Sequence, residues 1–276
     1  MTHTNTGLVG IFDSGVGGLS VLREIHSLLP AQPLFYIADQ KHVPYGERSE
    51  VEIRSFAEGI TRFLLDQGAV LITVACNTAS AAALAALRKD YPDTPFVGME
   101  PALKPAALQT RNRKVGVLAT PATFQGGLFH TLVERFGQDV TLMTSTCPGL
   151  VGIIEAGGLE SPEARAILED AIRPMVESGV DKLVLGCTHF PFVLPLIQEI
   201  AGDSVEAIDP APAIARRVAS LLEQDNLLAP EGNPEAGITF ATSGDTEAFR
   251  KSLKHLLGLD AEICQLDWSE GGIISR

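Results

Sequence analysis

Two cysteines in this chain stand in the same local setting. Each closes an aliphatic run and is followed by residues that give and take hydrogen bonds: Leu71–Ala75 leads into Cys76-Asn77-Thr78, and Lys182–Gly186 into Cys187-Thr188-His189. A thiol at the end of a strand and the start of a helix is expected to have its pKa lowered from about 8.5 toward neutrality, where it can serve as base and as acid. One such thiol beside a histidine would suit a hydrolytic nucleophile. Two in matched settings suit a different task. One removes a proton from one face of a carbon while the other delivers a proton to the opposite face, as inversion of a stereocentre demands. The other cysteines, Cys147 and Cys264, read as small buried hydrophobes.

Further polar residues sit where strands should end: Asp13-Ser14, Thr120 with Thr123, and Tyr45-Gly46 in a loop. Asp13, Glu155 and His189 are candidates to tune the thiols, although nothing in the sequence around Glu155, on the apolar stretch Leu150–Glu155, singles it out. The glycines of Gly15-Val16-Gly17-Gly18 do not form a dinucleotide fingerprint, since Ser20 stands where the third glycine belongs, and no phosphate-loop lysine follows. They read as a tight strand-to-helix turn with amides free to hold a carboxylate. No lysine lies in a recognisable pyridoxal phosphate motif. The four cysteines are scattered and lack a CxxC pair, which argues against zinc or a disulfide framework and for a reduced, cytoplasmic setting.

These residues need a scaffold that brings strand ends together. Runs with strand character (Leu8–Phe12, Leu34–Ala38, Val70–Ala75, Val115–Ala119, Val140–Met143, Lys182–Leu185) alternate with helical spacing over Leu19–Leu29, Val51–Asp66, Ala79–Lys89 and Pro162–Glu177. That alternation implies an α/β fold with mainly parallel sheets. The pattern also repeats. Leu8–Gly18 echoes Lys114–Gly127, Leu71–Ser80 echoes Lys182–Phe190, and the interval from Val9 to Cys76 nearly matches that from Val115 to Cys187. Two pseudo-symmetric units facing each other across a cleft would bring the two thiols together. With 276 residues and 45% hydrophobic content the chain can bury a sizeable core, and a net charge of −13 argues against nucleic-acid and anionic-membrane partners. The polar Met1–Thr6 is not a signal peptide, and the apolar stretch Ala69–Leu87, broken by Asn77, Thr78 and Ser80, is a poor membrane span. The loosest segment is Ala229–Gly237.

The sequence resembles the glutamate racemase family of the aspartate/glutamate racemase superfamily. The resemblance rests on Gly10–Leu22 (GIFDSGVGGLSVL), Val43–Ser49 (VPYGERS), Ala75–Ser80 (ACNTAS), Cys147–Gly157 (CPGLVGIIEAG) and Leu183–Pro191 (LVLGCTHFP), in this order along nearly the whole chain. It implies interconversion of L- and D-glutamate without cofactor, metal or nucleotide, in the supply of D-glutamate for peptidoglycan. It implies that Cys76 serves the D-enantiomer aided by Asp13, and Cys187 the L-enantiomer aided by Glu155 and His189. Asp13, Ser14, Tyr45, Gly46, Cys76, Asn77, Thr78, Thr120, Thr123, Cys187 and Thr188 match positions that hold the substrate. The implied fold places the site between two domains, here 1–98 with 209–276, and 99–208; the resemblance admits a homodimer. The chain departs from the family where Asp-Thr is replaced by Asp39-Gln40, where Ala119-Thr120 and Ala122-Thr123 replace Gly-Thr, and where Phe190 replaces a tyrosine. An aspartate or other acidic amino-acid racemase is the nearest rival reading. A non-catalytic amino-acid-binding protein would have no need of paired thiols, and a cysteine amidase would leave one of them unexplained.

Overall fold

The computed structural model describes residues 7–233, 235–270 and 272–276; the N-terminal reading over Met1–Thr6 lies outside them. The chain alternates strands and helices. In order they are β1 (Val9–Asp13), α1 (Leu19–Leu28), β2 (Pro33–Ala38), α2 (Glu50–Asp66), β3 (Leu71–Val74), α3 (Asn77–Asp90), β4 (Phe96–Gly98), α4 (Leu103–Gln109), β5 (Lys114–Ala119), α5 (Pro121–Gln125), α6 (Gly127–Phe136) and β6 (Thr141–Ser145). There follow α7 (Leu150–Glu155), α8 (Pro162–Glu177), β7 (Lys182–Gly186), α9 (Leu194–Ala201), β8 (Glu206–Ile208), α10 (Ala211–Gln224), β9 (Gly237–Thr242), α11 (Thr246–Leu257), β10 (Ile263–Ser269) and β11 (Gly272–Ser275). Local chemistry sets many of the boundaries. Ser49 and Glu52 close a capping box on α2, Ser161 caps α8 ahead of Pro162, and Asp245 caps α11, which ends at Gly258 in the left-handed conformation.

The strands form two sheets, of order β11-β10-β9-β2-β1-β3-β4 and β6-β5-β7-β8. Among the described residues all pairings are parallel except that of β10 with β11. Every residue of β1, β2, β3 and β7 is buried, as expected where helices cover both faces of a parallel sheet. Core residues of α1, α10 and α11 pack on one face of the larger sheet and those of α2 and α3 on the other. In the smaller sheet α8 and α9 cover one face and α4 and α6 the other.

The internal echo is a repeat of topology. The order β2-β1-β3-β4 recurs as β6-β5-β7-β8, with β9 to β11 added at the β2 edge. The register repeats too. Val9 pairs with Leu71 and Cys76 lies five residues beyond it; Val115 pairs with Lys182 and Cys187 lies five residues beyond that. The two thiols therefore occupy equivalent positions, at the carboxyl ends of central strands where parallel sheets gather their ligands. Among the described residues no helix is long and apolar enough to cross a membrane.

Candidate active site

A cavity of about 280 Å³ opens between the carboxyl ends of the two sheets. Ser14, Tyr45, Gly46, Cys76, Asn77 and Thr78 line it from the first unit, and Thr120, Cys187, Thr188 and His189 from the second. Three of the residues expected at the site stand behind this wall. Asp13 is fully buried, Glu155 lies beyond His189, and Thr123 reaches the cavity only through Thr120, with the two hydroxyls 2.9 Å apart.

Around Cys76 the strand ends and α3 begins. Cys76 is the residue capping α3, and its sulfur accepts from the Ala79 amide at 3.4 Å, so a helix N-terminus does point at the thiol. The expected lowering of its pKa nevertheless fails. Burial pushes the Cys76 thiol well above its ordinary value, the charge of Asp13 adds to this, and the Ala79 amide is too weak to reverse it. Asp13 is itself raised, chiefly by burial, with His189 and the Gly18 amide opposing. Its Oδ2 accepts from the amides of Gly15 (3.3 Å) and Gly18 (2.9 Å), while Oδ1 is buried with no hydrogen-bond partner among the described residues. A buried thiol beside a buried carboxylate favours one proton on the pair, held by sulfur.

Cys187 stands in the opposite environment. It directly follows β7 and precedes not an α-helix but a 3₁₀ turn at Phe190–Val193, so the expected helix start is absent there. His189 supplies the charge instead. Its Nδ1 lies 3.6 Å from Cys187 Sγ and its Nε2 lies 2.7 Å from Glu155 Oε1. Burial works against the imidazolium, but the contacts to Cys187 and Glu155 outweigh it and hold the His189 pKa well above its usual value. Glu155 is raised by burial yet lowered more by His189, the Val16 amide and Gln40, so it stays ionised. One thiol thus adjoins an anion and the other a cation.

The glycine turn after β1 binds carboxylates, but they belong to the protein. Besides the two amides on Asp13, the Val16 amide donates to Glu155 Oε1 at 2.8 Å, across the cleft. A methyl at Gly15 would fall on the Glu155 carboxylate and one at Gly17 on the His189 ring, so these glycines make room for the second unit. Other contacts cross the cleft as well: Ser20 Oγ donates to the Thr188 carbonyl at 2.9 Å, and the Thr78 and Thr120 hydroxyls lie 2.9 Å apart.

Polar groups are left over for a ligand. Both side-chain atoms of Asn77 are buried without a partner among the described residues, although Asn77 faces the cavity. The Tyr45 hydroxyl, by contrast, donates to Asp39 Oδ2 at 2.6 Å, so the Tyr45-Gly46 turn has its backbone to offer. Asp39 also accepts from Ser243 Oγ at 2.6 Å and Trp268 Nε1 at 2.7 Å, which pins that turn to the C-terminal strands. The sequence reading missed the outer wall, where Thr146, Cys147, Pro148, Val151 and Gly152 line the cavity. Cys147 is buried as expected, but it belongs to this wall, with φ of 44°, ahead of Gly149 at φ of 83°. The glycine in Pro148-Gly149 was the available signal for a left-handed turn. Cys264, expected to be buried, is exposed on β10.

Comparison with known proteins agrees with this geometry. The profile of the Asp/Glu/hydantoin racemase family matches residues 9–218. A glutamate racemase from Roseiflexus sp. is 48% identical over 254 residues, covering 92% of this chain and 93% of that protein. The crystal structure of a glutamate racemase isoform from Bacillus anthracis superposes with a TM-score of 0.84 at 30% identity, over 95% of this chain and 97% of that one. That of the glutamate racemase from Francisella tularensis subsp. tularensis in complex with D-glutamate gives 0.82 at 27% identity, over 95% and 97%. The chain belongs to the Asp/Glu/hydantoin racemase family, and within it to the glutamate racemases.

Proposed function

We propose that this protein interconverts L- and D-glutamate by a two-base proton transfer between Cys187 and Cys76, supplying D-glutamate for peptidoglycan in the cytoplasm. The observation that carries the reading is the pair of cysteines at register-equivalent positions of two repeated units, both opening into one cavity. The D-glutamate complex of the Francisella relative supports the substrate. In this reading residues 1–98 with 209–276 form one domain and 99–208 the other. The division is supported by the membership of the two sheets and by the packing of α10 against α1.

The surroundings give each thiol its role. Cys187, paired with the His189 imidazolium, acts as thiolate and removes the α-proton of L-glutamate. Cys76, kept protonated by burial and by Asp13, gives its proton to the opposite face of the carbanion. The product is D-glutamate, leaving Cys187 as thiol and Cys76 as thiolate; the reverse reaction starts from that state. The two thiols account for both transfers, so the reading needs no cofactor. Asn77, Thr78, Thr120 and the backbone of Tyr45-Gly46 hold the amino and carboxylate groups, and Asp13, Glu155 and His189 set protonation. The test is a chiral assay of the purified protein with each enantiomer of glutamate and of aspartate, without additives. Either glutamate should run to an equal mixture. Racemisation of aspartate in preference to glutamate would shift the substrate, and no racemisation of either would overturn the reading.

A further inference from the structure

One side chain of the first unit reaches Glu155 and is not used by the reaction just described. Gln40 lies two residues beyond β2, half-buried, and its Nε2 donates to Glu155 Oε2 at 3.3 Å. Its other end is held as well. Gln40 Oε1 lies 3.0 Å from the hydroxyl of Thr242, the last residue of β9, which shares its proton with the Ala38 carbonyl at 3.1 Å and accepts from the Gly244 amide at 3.1 Å. A methyl at Gly244 would press on the Gln40 side chain, so the turn after β9 leaves space for it. Glu155 is thereby gripped through both oxygens: Oε1 by the Val16 amide and His189, Oε2 by Gln40.

We infer that Gln40 is a positioning residue, an amide donor that fixes the Glu155 carboxylate so that His189 stays aimed at Cys187. Rotation about the terminal bond of the carboxylate moves both oxygens, so a donor on Oε2 tightens the hold that the Val16 amide and His189 already have on Oε1. The chain Thr242, Gln40, Glu155, His189, Cys187 runs from the C-terminal strands of the larger sheet to the thiol of the smaller one. The inference rests on the racemase reading above. The ionisable groups around this contact are His189 and Cys187 from the second unit, and Asp13 from β1, Tyr36 from β2 and Cys76 from the first.

Two substitutions test it. Gln40→Met keeps length and bulk but removes the donor; kcat/KM is expected to fall about tenfold or more, as for loss of a hydrogen bond to a charged group. The fall must be the same for both enantiomers, because their equilibrium constant is unity. Gln40→Glu makes the donor depend on pH. A pair of adjacent carboxyls holds one proton at low pH, and the introduced acid then donates as the amide did; at higher pH two carboxylates repel. Relative to wild type, Gln40→Glu should keep most of its activity at the acid end of the measurable range, where the pair still holds a proton, and lose about tenfold or more at the alkaline end. A packing role alone would give a ratio that does not change with pH. Gln40→Met within twofold of wild type, or a flat ratio for Gln40→Glu, would overturn the inference. Titration of the His189 ring by NMR reads the same contact without turnover, and decides the matter if Gln40→Glu fails to fold; if Gln40→Met does, the pH dependence of Gln40→Glu decides it. Gln40→Met should move the His189 pKa down toward its ordinary value, and an unmoved pKa overturns the inference even if wild type proves not to be a racemase.

Discussion

At the scale of single residues the site owes its chemistry to unlike neighbours of like groups. Cys76 has burial and Asp13 keeping its proton on, while Cys187 has His189 and, behind it, Glu155. The position of the two thiols was legible in the sequence because strand, cysteine and polar residues recur. The direction in which Cys76 titrates was not, because it depends on burial and on a carboxylate distant in sequence. Cys76→Ser and Cys187→Ser are each expected to lower racemisation by about 100-fold or more, since a hydroxyl is far less acidic than a thiol. Circular dichroism should show both variants folded; near-normal turnover in either would remove that residue from the proposed pair. The pH dependence carries a sign. In the proposed L-to-D direction His189 and Cys76 must both carry protons, and both are held above their ordinary values, so the rate should persist well past the range in which a free imidazole loses its proton before falling. Glu155→Gln removes an anion that holds the His189 proton, so the alkaline limb of kcat/KM should move to lower pH. A limb that stays in place would show that Glu155 does not act through His189.

Elements turn these residues into a site, and here the sequence was legible unevenly. The buried central strands β1, β2, β3, β5 and β7 were marked by aliphatic runs, and the helices α2 and α8 by apolar residues at helical spacing. The added strands β9 to β11 were not anticipated; the exposed residues of β9 and β10 break up any aliphatic run, and β11 is four residues long. Yet these strands hold the Tyr45 turn and Gln40 through Ser243, Trp268 and Thr242. The turn between β1 and α1 was read as tight and as open to a ligand carboxylate; three of its amides, those of Gly15, Val16 and Gly18, hold Asp13 and Glu155 instead. What Gly15 and Gly17 supply is room, since neither has positive φ. Gly15→Ala and Gly17→Ala should therefore displace Glu155 and His189. An overpacking cost of about 1–3 kcal/mol in thermal or denaturant unfolding is expected, with racemisation lost out of proportion to it. Full activity in a Gly17→Ala variant would show that His189 need not sit where the structure has it.

For the whole molecule, the duplication places one thiol at the end of each sheet, and the proposed mechanism accordingly gives one face of the substrate to each unit. The consequence is visible in isotope exchange. If Cys187 removes the α-proton of L-glutamate and Cys76 supplies the new one, the abstracted proton stays on a thiol that never returns it to the opposite face. In D₂O both thiols carry solvent deuterium before the first turnover. D-glutamate formed at early conversion should then contain deuterium at the α-carbon in nearly every molecule, while the remaining L-glutamate stays almost unlabelled. Starting from D-glutamate, the same pattern should appear with the enantiomers exchanged. A single base that swung between faces would carry the original proton with it, and product would form partly unlabelled. The thiols are only 5% and 6% exposed, so a proton on either is shielded from solvent while substrate covers the cavity, which makes the two schemes easier to tell apart. Mass spectrometry of the separated enantiomers supplies the measurement. Unlabelled product at early times, or equal labelling of both pools, would rule out one thiol per face and with it the division of labour between the two sheets.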